Sequence, residues 1–164
     1  MEIKIRKANA EDAEEISHIW EIICAEKIYT AVSKPFTTEQ ERRYINNLTD
    51  REGIFVAEKK GQIIGFQSLD KWAEYLNSFD HVGVIGTFIL PKWRNKMIGS
   101  QLAEYTFNFA RNNDYEKTII YVRAKNSGAI AFYRKLGFVQ KGVLSNQVKI
   151  NGEYEDEIFM EMFL

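Results

Sequence analysis

Apolar and charged residues alternate at the start of the chain, and the spacing then changes to that of a helix. Residues 1–6, "MEIKIR", alternate in the way of a half-buried strand. Over residues 9–28 apolar side chains return every three or four positions, which predicts an amphipathic helix. The apolar face of this helix consists of Ile16, Ile19, Trp20 and Ile23. The polar segment "PFTTEQERRYINNL" then predicts a second, exposed helix, which Thr37 or Thr38 can cap.

Two pairs of strand-like segments meet at short turns that contain glycine. "GIFVAEKKGQIIGFQSL" predicts two strands folded at Lys60-Gly61, because glycine tolerates the positive φ angle of a tight hairpin. The tail, residues 138–164, predicts two longer strands that turn at Asn151-Gly152. The spacing therefore indicates one hairpin in the first half of the chain and another at its end.

The middle of the chain combines strands and helices. Residues 70–81 mix aromatic and polar side chains without a period, which indicates a loop or short helix beside a site. "VGVIGTFIL", residues 82–90, is apolar almost throughout and predicts a central strand buried on both faces, ended by Pro91. The elements expected after it are an amphipathic helix at 97–112 with an apolar face of Ile98, Leu102, Tyr105 and Phe109, a strand at 117–123 and a short helix at 126–138.

The order of these elements is β-α-α-β-β-β-α-β-α-β-β, without a linker or a repeat. It predicts a single α/β domain over residues 1–164. The core of this domain is expected to be a mixed parallel and antiparallel sheet of about seven strands, flanked by about four helices.

Composition excludes several classes of partner. The 22 basic and 23 acidic residues nearly balance, so no overall field attracts the protein to nucleic acid or anionic lipid. The start of the chain has no continuous apolar run, which argues against a signal peptide and a membrane span. The single cysteine, Cys24, excludes an internal disulfide and has no partner at metal-ligand spacing, which predicts a cytoplasmic protein without a metal site.

Positive charge gathers where the predicted helix at 97–112 begins. "PKWRNKMIGSQL" places Arg94 and Lys96 before Gly99 at this helix start. The first N–H groups of a helix have no partner within it and carry positive dipole charge, so they can bind a phosphate. An ordinary solvated basic turn fits the same residues, since the glycine patterns of the P-loop and the Rossmann fold are both absent.

The neighbours of this loop carry a family resemblance. A buried strand, the basic loop with its helix, a further strand and the short helix "NSGAIAFYRKLGF" together resemble the GNAT superfamily of N-acetyltransferases over essentially the whole chain. The hairpin tail and the "IIGF" strand are similar to the branch that contains phosphinothricin acetyltransferase and other small-amine acetylators. The resemblance implies acetyl-CoA as cosubstrate and direct acetyl transfer in a ternary complex, without a metal.

The resemblance also implies roles for particular residues. Main-chain groups of residues 88–90 would contact the pantetheine arm and the acyl carbonyl, and residues 94–100 would offer amides to the pyrophosphate. Asn126 would reach the cofactor, and Tyr133 would protonate the departing thiolate. Taken alone, an asparagine here is also a helix cap and a tyrosine is also core packing. The residues expected to bind cofactor are Phe88, Ile89, Leu90, Arg94, Asn95, Lys96, Met97, Ile98, Gly99, Ser100 and Asn126.

Two positions depart from the family pattern. Met97 stands where the family loop has its first glycine, so the loop is expected to need a different backbone angle or to bind more weakly. Val84 stands where small-amine acetylators have a glutamate proposed as base. His81 is the expected substitute base, because imidazole titrates near neutrality. A water chain, or one of the carboxylates Asp80, Glu74 and Glu26, is the alternative.

The acceptor pocket is expected between the first two helices, the loop before the central strand and the tail. Tyr29, Phe36 and Trp72, with nearby carboxylates, could hold an organic cation, or could form a minor apolar cluster. "EYEDE", residues 153–157, could attract a basic acceptor or could be the solvated face of an edge strand.

These residues predict an acetyl-CoA-dependent N-acetyltransferase acting on the primary amine of a small molecule such as an amino acid, an analogue or a polyamine. The alternatives are acetylation of a protein N-terminus or lysine, and an acyl-CoA-binding sensor without turnover. Neither nucleic acid nor a membrane is expected as a partner. A homodimer could form through an exposed strand or the tail hairpin.

Overall fold

The computed structural model describes residues 2–164, so the predicted start of the first strand at Met1 lies outside the described residues. Strands and helices follow each other in the predicted order. The strands are β1 (Lys4–Lys7), β2 (Gly53–Lys59), β3 (Gln62–Lys71), β4 (Val82–Ile89), β5 (Lys117–Arg123), β6 (Val139–Ile150) and β7 (Glu153–Phe163). The helices are α1 (Ala13–Glu26), α2 (Thr38–Asn47), α3 (Ile98–Asn112) and α4 (Ser127–Leu136).

All seven strands form one sheet in the order β1-β2-β3-β4-β5-β7-β6. Neighbouring strands are antiparallel except β4 and β5, which are parallel. The mixed sheet and the four helices confirm the predicted fold class.

Helices cover both faces of the sheet. On one face, Ile16, Ile19 and Ile23 of α1 pack on apolar side chains of β2 and β3. On the other face, α3 and α4 pack on the side chains of β2–β5 and β7 that point the opposite way. The strands at the centre of the sheet are therefore buried between two helical layers, as near-continuous apolar segments require.

The parallel pair β4–β5 separates after three residues. Pairing runs from Val82 opposite Lys117 to Val84 opposite Ile119 and stops there. Beyond that point β4 continues to Ile89 alongside β3, while β5 continues to Arg123 alongside β7. The sheet therefore opens into a wedge, in which the backbone of β4 after Val84 has no ladder partner on the β5 side.

The local signals in the sequence are confirmed. Lys60 and Gly61, with φ of 52° and 79°, form the first hairpin turn, and Asn151 and Gly152, with φ of 54° and 83°, form the second. Such positive φ angles at both central positions match the twist of an antiparallel pair. Thr37 caps α2, with Gln40 reaching back to the cap backbone.

Three expectations about burial are wrong. In α3, Tyr105 is 40% exposed, and the buried face contains Ala103, Thr106 and Phe107 in addition to Ile98 and Leu102. In β4, residues from Gly86 onward are only half-buried, because they line the wedge. The segment 153–157 is not the solvated face of an edge strand, because β7 lies inside the sheet and β6 forms the edge.

Candidate active site

The wedge between β4 and β5 forms a cleft of about 890 Å³. Its walls come from the second half of β4, the loop after it with the start of α3, the second half of β5, one face of α4 and the loop after α1, with Glu157 of β7. Most of this surface is apolar, which suits the thioester end and the aliphatic arm of an acyl carrier. Of the predicted backbone contacts, Phe88 and Ile89 line the cleft, whereas Leu90 is 7% exposed and its N–H donates to Ile64 O (3.1 Å).

The start of α3 offers free backbone amides at the edge of this cleft. Gln101 N–H donates to Met97 O (3.1 Å), which is the first hydrogen bond of the helix. Met97 contributes no side-chain cap, so within the described residues the amides at 98–100 remain without a protein acceptor. Ile98, Gly99 and Ser100 all line the cleft, where a helix N-terminus favours an anion.

The backbone before α3 is in the left-handed region at two residues that are not glycine. Asn95 has φ of 59° and Met97 has φ of 64°. A side chain at such an angle crowds the backbone and costs about 1–2 kcal/mol, which glycine avoids. Met97 thus carries a side chain in a backbone conformation that favours glycine.

Gly99 is required by the contact between two helices. A Cβ atom at Gly99 would lie 3.0 Å from Cζ of the Phe132 ring on α4, closer than carbon atoms normally approach. The absence of a side chain at Gly99 therefore lets α4 pack against the start of α3. This close packing brings the α4 residues that line the cleft beside the amides of α3.

Arg94 does not present a free charge to the cleft. Its guanidinium donates to both carboxylate oxygens of Glu26 (2.8 and 2.6 Å), and its Nε donates to Ile89 O (3.0 Å). The same group lies 4.2 Å from the centroid of the Tyr29 ring. Arg94 therefore ties the end of α1 to the end of β4, and Glu26 is engaged as its partner.

Two lysines belong to the segments that meet at the free α3 amides, the loop before α3 and the end of α4. Lys96, in the predicted loop, places its Nζ 4.9 Å from the centroid of the Trp93 ring and does not line the cleft. Lys135, in the last turn of α4, does line it. The packing of α4 on α3 thus places a basic side chain from the end of α4 at the cleft.

Tyr133 contacts the cleft from α4 and is 4% exposed. Its hydroxyl oxygen lies 2.9 Å from Thr87 Oγ1, and Gln67 Nε2 donates to the same Thr87 oxygen (2.7 Å). Gln67 and Thr87 are directly opposite each other in the β3–β4 ladder, so their side chains share one face. Burial raises the pKa of Tyr133 to about 12, against the opposing effect of the Thr87 hydrogen bonds, so the phenol holds its proton at neutral pH.

Both interpretations of Asn126 and of Tyr133 agree with the geometry. Asn126 Oδ1 accepts from Ala129 N–H (3.1 Å) and caps α4, yet the residue also lines the cleft. The Tyr133 ring packs 5.4 Å from the Phe138 ring, yet its hydroxyl is at the cleft wall. Helix capping and core packing thus hold the two polar groups in fixed positions at the cleft.

His81 lies away from the cleft. It precedes β4 by one residue, and its carbonyl accepts N–H bonds from Glu116 (2.9 Å) and Lys117 (3.1 Å). The cleft lining on β4 begins at Val84, three residues after His81, and His81 is not part of it. Asp80 and Glu74 do not line the cleft either.

One carboxylate of the acidic segment 153–157 lines the cleft. Glu157 of β7 is 9% exposed, and among residues 2–164 it is the only acidic side chain in the lining. Burial raises its pKa, the nearby Glu155 adds to the shift, and Arg123 opposes it. The sequence "EYEDE" shows that the segment is acidic. Which of its carboxylates reaches the cleft follows only from the position of β7 inside the sheet.

The three aromatic residues expected at the acceptor pocket separate in the structure. Tyr29 lines the cleft beneath Arg94. Trp72 is 42% exposed and packs 5.9 Å from the ring of Tyr121, which lines the cleft. Phe36 does not line it and instead packs on Trp20, with ring centroids 5.3 Å apart.

Residues 2–164 contain neither a metal-binding cluster nor a membrane-spanning helix. No group of three or more His, Cys, Asp or Glu side chains in this range could hold a metal ion. Cys24 Sγ donates to Val32 O (3.4 Å), and burial raises the pKa of its thiol. No helix in the same range has the length and apolar content needed to cross a bilayer.

Comparison with known proteins gives one family. Residues 16–138 match the family described as Acetyltransferase (GNAT) family. The Uncharacterized N-acetyltransferase MJ1207 of Methanocaldococcus jannaschii is 28% identical over 62% of this chain, a match that spans 45% of that relative. The Putative phosphinothricin acetyltransferase YwnH of Bacillus subtilis is 21% identical over 93% of each chain.

A solved structure shows the same fold. It is a GNAT superfamily phosphinothricin acetyltransferase from Sinorhizobium meliloti in complex with AcCoA. The TM-score is 0.90 at 20% identity, over all of this chain and 89% of that one. At this identity the likeness concerns the fold alone.

Proposed function

This chain belongs to the GNAT acetyltransferase family, an acetyl-CoA-dependent class of N-acetyltransferases, and we propose that its acceptor is the primary amine of a small molecule. Amino acids, their analogues and polyamines are the candidate acceptors. The proposal treats residues 1–164 as one catalytic domain. The observation that carries it is the walled cleft, in which free α3 amides and a buried tyrosine hydroxyl lie in one lining with a single carboxylate.

The residues present fit acetyl-CoA. The unpartnered amides at the start of α3, with Lys135 beside them, suit a pyrophosphate. The β4 backbone at Phe88 and Ile89, which faces the wedge rather than β5, suits the amide groups of the pantetheine arm. Asn126 supplies a further polar contact at the N-terminus of α4. Bound there, acetyl-CoA would supply an acetyl thioester, an acyl donor for which a thiolate is the leaving group.

Tyr133 acts as the proton donor in this proposal. Its phenol is protonated at neutral pH, because burial raises its pKa to about 12. The bond to Thr87 fixes the position of this buried hydroxyl at the cleft wall, from which it can deliver a proton. Arg94 has a structural part, since its bonds to Glu26 and Ile89 O fix the wall that the loop after α1 forms.

The loop after α1, which forms one wall of the cleft, favours a small acceptor over a protein acceptor. A protein N-terminus or a lysine on a protein surface needs an open groove, whereas the loop after α1 is tied down on two sides. Arg94 holds Glu26 at its start, and Arg123 Nη1 donates to Lys27 O (2.7 Å) and Thr30 O (3.1 Å) further along.

The proposal includes the cellular compartment. A free Cys24 fits a reducing cytoplasm, in keeping with the sequence expectation.

The proposal also includes the oligomeric state. A homodimer could form through β6, an edge strand on which Val139 and Val143 are 56% and 50% exposed. Light scattering during gel filtration measures the mass, and a monomer at micromolar concentration would remove the dimer from the proposal.

The test is thiol release from acetyl-CoA by the purified protein, over a panel of amino acids, phosphinothricin, polyamines and short peptides. Amine-free rates are subtracted, and mass spectrometry identifies each acetylated product. We expect selective turnover of one class of small amine. Turnover of peptides alone would support the protein acceptor, and binding of acetyl-CoA without turnover of any amine would support the sensor.

A further inference from the structure

Glu157 lies on the face of the sheet opposite the anion-binding loop. Its neighbours Ile158 and Met160 point into the core under α3 and α4. Side chains alternate along a strand, so Glu157 and Phe159 point the other way. The contact of the Phe159 ring with the Tyr121 ring, at 5.3 Å, confirms this direction.

The loop after α1 covers this second face. Arg123, two residues after Tyr121 on β5, donates to the carbonyls of Lys27 and Thr30 in that loop. The cleft therefore passes through the sheet at the β4–β5 opening. The amides of α3 are on one side of it, and Glu157 and Tyr121 are on the other.

The cation nearest to Glu157 is already committed. Arg123 Nε donates to Glu155 Oε2 (3.0 Å), and its Nη1 atom is taken by the two loop carbonyls. Lys125 N–H also donates to Glu155 (3.0 Å), so Glu155 and Arg123 form a closed pair. No hydrogen bond joins Glu157 to a side chain or backbone group among the contacts described for residues 2–164. The Glu157 carboxylate therefore faces the cleft without a protein donor, and a cation bound in the cleft would pair with it.

We propose that the Glu157 carboxylate binds the ammonium group of the acceptor and removes its proton before acetyl transfer. The Tyr121 ring beside Glu157, and Trp72 stacked on it, provide the aromatic surface that an organic cation prefers. This inference rests on the proposed function, since it assigns the acceptor end of the same cleft. It assigns the role of base to Glu157 instead of His81.

The proton transfer from the ammonium to Glu157 conserves atoms, electrons and total charge. One N–H bond of the ammonium breaks, the proton moves to a Glu157 oxygen, and the electron pair stays on nitrogen. Glu157 becomes neutral, the amine becomes a neutral nucleophile, and total charge is unchanged. A carboxylate with a raised pKa is a better base for this step than an ordinary one. The titratable groups that act on it are Arg123 and Tyr121 on β5 and Glu155 on β7.

The test compares Glu157→Gln with Glu153→Gln, an exposed glutamate of the same strand. The acceptor is the amine with the highest kcat/KM in the panel above. At pH 7 we expect Glu157→Gln to lose about 100-fold or more in kcat/KM. The loss should shrink as pH rises towards 9, because free amine then forms in solution. Glu153→Gln should stay within twofold of the wild type at every pH.

Two measurements on the same variants exclude a folding defect. Melting temperature and the acetyl-CoA dissociation constant from calorimetry should match the wild type in both variants. Carbon-13 NMR of the Glu157 carboxyl should give a pKa above the ordinary glutamate value, without any turnover.

Failure of the role proposed for Glu157 and failure of the proposed function give different results. If the wild type acetylates an amine and Glu157→Gln keeps wild-type kcat/KM at pH 7, the role of Glu157 is wrong and the proposed function stands. A loss that is equal at all pH values would also overturn the role as base. If the wild type acetylates no amine, the proposed function itself fails.

Discussion

The Tyr133 hydroxyl on α4 donates to Thr87 Oγ1 on β4 (2.9 Å) at the wall of the cleft. Gln67 is fully buried and donates to the same Thr87 oxygen (2.7 Å). The position of the Tyr133 hydroxyl is thus set by residues on β3 and β4. Rotation of its O–H bond away from Thr87 would direct the proton into the cleft.

Replacing Tyr133 with phenylalanine removes the proton donor and keeps the ring. We expect kcat to fall about 100-fold or more, while the acetyl-CoA dissociation constant changes less than twofold. Tyr105→Phe, an exposed tyrosine on α3, is the control and should leave kcat unchanged. Equal losses in kcat and in acetyl-CoA affinity would make Tyr133 a packing residue.

Thr87→Val removes the hydroxyl that links Gln67 to Tyr133. Two buried polar groups then lose a partner, so the free energy of unfolding should fall by about 1–3 kcal/mol and kcat should fall about tenfold. Thr87→Ser keeps the hydroxyl and should recover most of kcat. Urea denaturation and steady-state kinetics measure both effects. A valine variant with wild-type kcat would show that Thr87 does not position Tyr133.

Met97 is 61% exposed and adopts φ of 64°, so its backbone and not its packing decides the effect of substitution. Met97→Gly should relieve the backbone strain and raise Tm by about 2 °C. Met97→Val, which is β-branched, should lower Tm. Calorimetry of the two variants provides the comparison, and a lower Tm for glycine than for valine would contradict the strained conformation.

Gly99 is expected to be sensitive to a single methyl group. Gly99→Ala places a Cβ atom 3.0 Å from the Phe132 ring, which should destabilise the protein by about 1–3 kcal/mol. Acetyl-CoA binding should weaken as well, because α4 must move away from the α3 amides. Adding Phe132→Leu makes room and should recover part of both losses. A double variant no better than Gly99→Ala would place the cause elsewhere.

Glu41 of α2 is 4% exposed, and burial raises its pKa from 4.5 to about 7, with the Asp70 charge adding to the shift and Trp20 opposing it. The unfolded chain loses this proton near pH 4.5, and the folded protein keeps it to about pH 7. The stability that the protonated group contributes is therefore lost as pH rises from about 4.5 to about 7.

The Glu41→Gln variant has no ionisable group at this position, so its stability lacks this dependence on pH. Between pH 4.5 and 7.5 the wild type should lose roughly 3 kcal/mol of unfolding free energy relative to this variant. Glu39→Gln, on the exposed side of the same helix, should follow the wild type. Urea denaturation across this pH range gives the difference, and parallel curves for wild type and Glu41→Gln would contradict a raised pKa.

The sequence predicted those features that depend on neighbouring residues. Hairpins at Lys60-Gly61 and Asn151-Gly152 follow from local φ requirements, and the caps at Thr37 and Asn126 follow from hydrogen bonds within one turn. Element order follows from periodicity, and with the family resemblance it was sufficient to predict the fold. These signals need no knowledge of which strands pair.

Features that depend on distant pairing were missed. Arg94 was expected to attract phosphate, but Glu26, 68 residues earlier, binds its guanidinium. For residues 153–157 the sequence left open a basic-acceptor site and a solvated edge strand, because nothing in this segment says that β7 inserts between β5 and β6. His81, expected as the base one residue before the central strand, is not part of the cleft lining.

A crystal structure with acetyl-CoA tests the central claim most directly. We expect the pyrophosphate on the amides at the start of α3, the acetyl carbonyl against the β4 backbone near Phe88, and the sulfur within hydrogen-bond distance of the Tyr133 hydroxyl. The open side of the acetyl group should face Glu157. Acetyl-CoA bound outside the β4–β5 opening, or with its sulfur turned away from Tyr133, would contradict the account.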